Sequence, residues 1–324
     1  MQAQTPDVQM ISDTVNRIVS EVEKVIVGKR SVVTRAVISL LCEGHILLED
    51  VPGLGKTMLA RSLAGALGGS FSRVQFTPDL LPTDITGAMV FDPRSAEFSY
   101  REGPVVTNVL RADEINRAGP RTQSSLLEAM EERQVSVERQ VVKLPRPFFV
   151  IDTQNPVELE GTFPLPEAQL DRFMMRLSIG YPEVEDEREM LRRFRTNVPL
   201  ETVETVASTE QVVEMIAGVR HGKISEAVEG YLLEIIRATR SADMLEVGAS
   251  PRAALSLARA SQAYAATEGR DFVLPDDVRE MAPDVLAHRL IATAEAELLG
   301  TTQADIVRQV IAEIEVPVES GNVV

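Results

Sequence analysis

From Ile11 to Ile26 apolar residues recur at Val15, Ile18, Val19, Val22, Val25 and Ile26, which is helical spacing, with Ser12 as the expected N-cap. Val27-Gly28-Lys29 breaks the pattern, and a second helix is predicted to about Leu41. His45-Ile46-Leu47-Leu48 is a short apolar run of the buried-strand kind. A glycine-containing loop follows, and Lys56 opens a helix to about Leu67, closed by Gly68-Gly69. Phe71 to Phe76 alternates like a strand, while Thr77 to Gly87, with Pro78 and Pro82, reads as loop. Met89 to Tyr100 predicts two short strands with a turn near Pro93-Arg94-Ser95. Val105 to Ala112 predicts a strand ending in Asp113-Glu114, and Pro120 to Glu131 a helix. Gln134 to Leu144 alternates around a charged tip, Glu138-Arg139, as a hairpin does. Phe148 to Thr153 is an apolar strand; a proline-rich loop, a short helix (Glu167 to Arg172) and a strand (Phe173 to Ile179) follow.

Strands alternating with helices predict a parallel α/β sheet. After Tyr181-Pro182 the character changes and no run reads as a strand. Ser208-Thr-Glu-Gln211 is a capping box for a helix to Val219. Ser225 caps another, with Val228, Leu232, Leu233 and Ile236 on one face. Ser250-Pro251 opens an alanine-rich helix to about Ala266, ended by Gly269, and further helices follow Pro275 and Thr302. The expected organisation is an α/β core over 1–182, a charged linker over 183–200, a helical domain over 201–316 and a loose tail over 317–324.

Composition narrows the function classes. The 324 residues are 44% hydrophobic and 25% charged, with 4 Tyr, 10 Phe and no Trp. So few aromatics argue against stacking platforms for single-stranded nucleic acid. The net charge of −16 is uneven: through Gly180 there are 23 acids and 19 Lys+Arg, and beyond it 26 acids and 14 Lys+Arg. The acidic second half would repel a phosphate backbone, so nucleic acid is not an expected partner. The single Cys42 sits in an apolar stretch and reads as a small buried residue. His45, His221 and His288 lack metal-ligand spacing and read as solvated or capping histidines. No signal-peptide order opens the chain and no apolar run approaches membrane-spanning length, which points to a cytoplasmic protein without membrane insertion.

The chemistry concentrates in LLEDVPGLGKT, Leu47 to Thr57. Strand, glycine loop, lysine, hydroxyl and helix make up the phosphate-binding loop. Pro52, Gly53, Leu54 and Gly55 would wrap backbone N–H groups around phosphates, with the helix start at Lys56, Thr57 and Met58 adding its dipole. Lys56 would reach the β- and γ-phosphates, and Thr57 would hold magnesium. Asp50 stands where the motif has its first glycine, at the strand exit, and nucleotide binding is expected to survive it. Asp113-Glu114 ends a strand: Asp113 suits the magnesium, and Glu114 the activation of the attacking water. Asn155, after the strand Phe148 to Thr153, could orient that water.

The runs DEINRA (Asp113 to Ala118), LLEAMEERQV (Leu126 to Val135) and TQNPVELEGTFPLPEAQLDRF (Thr153 to Phe173) resemble the MoxR family of AAA+ ATPases over Val27 to about Ala287. The resemblance implies a five-stranded parallel AAA+ P-loop core with two insert hairpins, then an all-α lid. It implies ATP and magnesium as ligands and a homo-oligomeric ring, often a hexamer. It assigns Asn155 as sensor one, Arg172 as arginine finger with Arg117 competing, and Arg252 as sensor two in cis or in trans. Val27 and Gly28 match the segment that packs on adenine.

Proteins resembling MoxR act as chaperone-like ATPases in the assembly, activation or metal loading of other complexes. They often work with a separate protein carrying a von Willebrand factor A domain. A nucleic-acid motor and a non-hydrolysing scaffold or switch are the alternatives. Two departures from the family, Arg111 and Asp152, predict one ion pair between neighbouring strands, since an unpaired charge there is costly to bury.

Overall fold

The computed structural model describes residues 7–94, 96–138, 140–154, 162–196 and 198–317. Its first nine strands are β1 (Ile46–Glu49), β2 (Phe71–Gln75), β3 (Gly87–Asp92), β4 (Glu97–Glu102), β5 (Val109–Asp113), β6 (Gln134–Val137), β7 (Gln140–Lys143), β8 (Phe149–Gln154) and β9 (Met175–Leu177). Five of them form one parallel sheet in the order β2-β5-β8-β1-β9. Every residue of β5, and Phe149 to Thr153 of β8, is buried. Both strands accordingly open on consecutive apolar residues, Val109-Leu110 and Phe149-Val150-Ile151, rather than alternating, as strands covered on both faces do. One core cluster joins Leu47, Leu110, Ala112 and Val150 of the sheet to Leu126, Leu127 and Met130 of the helix Pro120–Glu132. The helix Lys56–Ala66 packs against β5.

The expected hairpins are both present. β3 pairs with β4 antiparallel, with Phe91 opposite Phe98 and their rings 5.2 Å apart; β6 pairs with β7. The strand expected from Val105 begins only at Val109, and Pro82–Thr86 is a short helix within the stretch expected as loop. Ser12 does not cap its helix. The helix starts at Val8, where Asp7 Oδ1 accepts from the amide of Gln9 at 3.1 Å.

His45 is neither solvated nor a cap. It is buried, its Nδ1 accepts from the amide of Val150 (3.0 Å), and its Nε2 faces the carbonyl of Met130 (3.1 Å). Burial holds its pKa down at about 4, so the ring is neutral at neutral pH and bonds the edge of β8 to the helix Pro120–Glu132. His288 is buried as well. Cys42 is only half-buried, at the C-cap of the helix Arg30–Leu41.

The charged stretch expected as a linker carries the helix Val184–Thr196. Its charges are ordered for a helix: Glu185, Asp186 and Glu187 in the first turn, Arg193 and Arg195 in the last, and a Glu189–Arg193 pair at 2.9 Å. The described residues divide into two units, one within Thr14–Phe173 and Leu177–Val213, the other of 7–13, Met174–Arg176 and 214–317. Within the second, helices Glu226–Ser241, Pro251–Thr267 and Gln303–Glu313 are capped by Ser225, Ser250 and Thr302, whose hydroxyls accept from amides three residues on. Leu233, expected on the buried face of the first, is exposed; Ile235 takes that place. A small antiparallel pair, β10 (Leu245–Val247) with β11 (Ile291–Ala292), was not expected. Strands of two or three residues are too short to leave an alternating pattern. The tail beyond 317 lies outside the described residues.

Candidate functional site

β1 is buried over Ile46, Leu47 and Leu48 and delivers the chain into a loop where Gly53 and Gly55 hold φ of 93° and 83°. A Cβ disfavours that left-handed region, so the glycines are what permit the turn. Gly55 is also the N-cap of the helix Lys56–Ala66 and gives its first amides no side-chain partner. Those N–H groups form a natural anion site, reinforced by the helix dipole.

Lys56 is buried, its Nζ donating to the carbonyl of Asp50 at 2.5 Å and reaching that of Gln154 at 3.5 Å. Burial pulls its pKa below the ordinary lysine value, and the carboxylate of Asp50 partly restores it. Asp50, buried too, accepts from the hydroxyl of Ser178 (2.7 Å) and from the amides of Ile179 (2.7 Å) and Gly180 (3.1 Å). The residue in place of the first motif glycine thus fastens the phosphate loop to the chain leaving β9.

Asp113 ends β5 with its carboxylate almost fully enclosed. Oδ1 accepts from Arg111 Nη2 (2.6 Å) and the Thr153 hydroxyl (3.1 Å), and Oδ2 from Arg73 Nε (2.6 Å). Arg111 Nη1 donates to the hydroxyl oxygen of Thr57. Glu114 is a non-glycine residue at φ 59°, ψ 55°, a conformation stabilised by its amide donating to Thr153 O at 2.8 Å. Its Oε2 accepts from Arg117 Nε at 2.7 Å and Gln75 Nε2 at 3.3 Å.

Two clefts adjoin this arrangement. One, of about 410 Å³, is bordered by Lys56, Thr57, Arg73, Arg111, Asp113 and Glu114, together with the loop glycines and Gln154. The other, of about 620 Å³, is walled by apolar side chains including Ile26, Val27, Leu54, Met58, Met190 and Phe194, and suits a flat apolar ring. Pro52, Gly53, Gly55 and Met58 border both. Gly28 holds φ +71°, and a Cβ there would lie 1.9 Å from the Asp186 carboxylate.

The phosphate-loop residues, Asp113 and Glu114 are therefore gathered at one place. Asn155 lies outside the described residues, its neighbour Gln154 being the last described on that strand. Arg172 is bonded to Glu131 at 3.0 Å, and Arg252 is exposed in the first turn of Pro251–Thr267, in the other unit. Arg73, Gln75 and Thr153 were missed from sequence. Only the strand register reveals them: Gln75 lies opposite Asp113 on one side, and Thr153 on the other.

The expected Arg111–Asp152 ion pair is not formed. The residue opposite Asp152 on β5 is Ala112, so by alternation Arg111 and Asp152 face opposite sides of the sheet. Arg111 turns to Thr57 and Asp113. Asp152 is completely buried, and among the described residues neither carboxylate oxygen has a well-aligned hydrogen-bond partner. Burial pushes its pKa well above the ordinary carboxylate value, the charge of Asp113 adds to this, and the amides of Ile115 and Thr153 offset it only in part. A raised folded-state pKa stabilises only below the unfolded value near 4, and that contribution is lost as pH rises. Asp152→Asn is accordingly expected to be more stable than the parent at pH 7, with the difference shrinking as pH falls towards 4. Denaturant unfolding at both pH values measures this; an equal difference at both would show that the carboxyl proton is not responsible.

Residues 45–175 match the sequence profile of the ATPase family associated with various cellular activities (AAA), and residues 237–310 that of the AAA lid domain. The chain is 45% identical to the uncharacterised protein YeaC of Bacillus subtilis, covering 94% of this chain and 95% of that one. It is 41% identical to Chaperone MoxR1 of Mycobacterium tuberculosis, covering 94% and 82%. The crystal structure of a candidate ATPase from Cytophaga hutchinsonii matches with a TM-score of 0.89 at 39% identity, over 96% of this chain and 97% of that one.

Proposed function

Because the chain belongs to the MoxR family of AAA+ ATPases, we propose that it couples ATP hydrolysis to remodelling of partner protein complexes, whether by assembling, activating or metal-loading them. ATP hydrolysis and the AAA+ core with a helical lid follow from that membership. One observation carries the reading: Lys56 and Thr57 at the start of one helix, and Asp113 and Glu114 at the end of β5, border a single cleft. The remodelling half is supported by 41% identity to a protein named as a chaperone.

In this reading the loop amides and Lys56 neutralise the phosphates, and Val27 and Gly28 back the adenine. The hydroxyl of Thr57 and the carboxylate of Asp113 fit magnesium: both are oxygen donors, and both already share a cation, the guanidinium of Arg111. When bound, magnesium would neutralise charge on the transferred phosphoryl group. Glu114 takes the proton of the attacking water, and Asn155 orients that water. Arg172 serves a neighbouring subunit's nucleotide in a ring, a hexamer by family likeness, once it exchanges Glu131 for phosphate. Arg117, engaged by Glu114, is the weaker finger candidate. Arg252 would report the nucleotide state to the helical domain. A separate von Willebrand factor A-domain protein is the proposed co-worker. Among the described residues no helix is long and apolar enough to cross a membrane.

Mixing tests the ring. Arg172→Ala is expected to bind ATP normally, yet to depress hydrolysis in mixtures with the parent by more than its share of the chains. Phosphate release measured across mixing ratios decides; a fall in proportion to the added variant would rule out action in trans. Salt-sensitive binding to DNA would favour a nucleic-acid motor instead, and absence of turnover in assembled protein a scaffold.

A further inference from the structure

We propose that Arg111 is a built-in counter-ion for the cation position, bridging Thr57 and Asp113 and competing with magnesium for the same two oxygens. The inference rests on the reading that those oxygens take magnesium.

The fork of the guanidinium carries the argument. Nη1 donates to the Thr57 hydroxyl and Nη2 to Asp113 Oδ1 at 2.6 Å, so one planar cation links the start of the phosphate-loop helix to the end of β5. These are the hydroxyl and carboxylate that a hard divalent cation would need. An oxygen held by an N–H donor has that lone pair engaged, and a guanidinium beside a dication is repelled. Both cations cannot hold this pair at once.

The surroundings favour a displaceable cation. The Arg111 side chain is 10% exposed, its Nε has no hydrogen-bond partner among the described residues, and Arg73 adds a second guanidinium on Asp113 Oδ2 at 2.6 Å. Arg73 and Arg111 stand opposite each other on paired strands, so two positive charges share one carboxylate. Arg73 is half exposed and can keep Asp113 paired when Arg111 leaves. The arrangement keeps Thr57 and Asp113 in register without metal, at the cost of a higher magnesium requirement.

The test is equilibrium binding of a fluorescent ADP analogue to the full chain, titrated with magnesium chloride and started in chelator. Arg111→Met is expected to lower the half-saturating magnesium concentration about tenfold. Arg111→Lys keeps the charge but loses the fork, and is expected to fall between parent and Arg111→Met. It also serves if Arg111→Met does not fold, as judged by thermal unfolding. Half-saturation unchanged or raised in the folded variants overturns the proposal. Thr57→Ala keeps the two failures apart: if it leaves the parental magnesium dependence intact, the cation does not sit on Thr57, and the underlying reading fails instead.

Discussion

Glu114→Gln is expected to bind ATP as the parent does and to turn it over roughly 10²–10⁴-fold more slowly, the range that general-base catalysis supplies. The substitution is nearly isosteric and leaves the binding apparatus alone. Gly53, Gly55 and Lys56 are contributed by another stretch of chain, and the amide that holds residue 114 in its left-handed conformation still donates to Thr153 O at 2.8 Å. A glutamine oxygen can still accept from Arg117 Nε, now 2.7 Å from the carboxylate, so the local fold keeps its tie. What disappears is the negative charge that takes a proton from water. Nucleotide fluorescence and phosphate release, measured on one preparation, separate the two effects. Hydrolysis at the parental rate would mean that another group activates the water.

Lys56→Ala is expected to fail a step earlier, with ATP affinity down roughly 10- to 150-fold, the loss of one or two charge-assisted hydrogen bonds. The ammonium of Lys56 is buried and, among the described residues, hydrogen-bonds to carbonyl oxygens at 2.5 Å and 3.5 Å. The hydrogen bonds are to neutral acceptors, while the carboxylates of Asp50, Asp113 and Glu114 act on it through space and help keep it charged for phosphate. Its removal should therefore cost the fold little, because the burial that lowers the lysine's pKa also marks it as costly to keep charged. Calorimetric titration with ATP and thermal unfolding without it check both halves. Undiminished affinity would remove Lys56 from the phosphate site.

The phosphate loop was legible because its chemistry is local: strand, two glycines needing positive φ, lysine, hydroxyl and helix follow within a dozen residues. Asp113 and Glu114 were legible for the same reason, at the end of a buried strand. What surrounds them was not. Arg73 and Thr153 reach Asp113 from neighbouring strands, and nothing in either local pattern announces it. The misjudged ion pair has one cause: Arg111 and Asp152 were compared by depth along parallel strands, when one residue of register decides the face. His45 misled differently. A polar residue at the start of an apolar run reads as its solvated edge, whereas here both ring nitrogens find backbone partners inside. The stretch 183–200 was read by charge content, which suggests a linker; charge order along it is that of a helix.

Asp50 sets a limit on how this chain can be recombined with its relatives. Its carboxylate takes two amides and a hydroxyl from 178–180, more than a hundred positions along the chain. A segment swap that brings in a glycine at 50 while keeping 178–180 strands those three donors beside a gap. The reverse swap can leave a buried carboxylate facing a foreign strand end. The two stretches form a single heritable cassette, and chimeras that respect the pairing are the ones that should remain loadable with nucleotide.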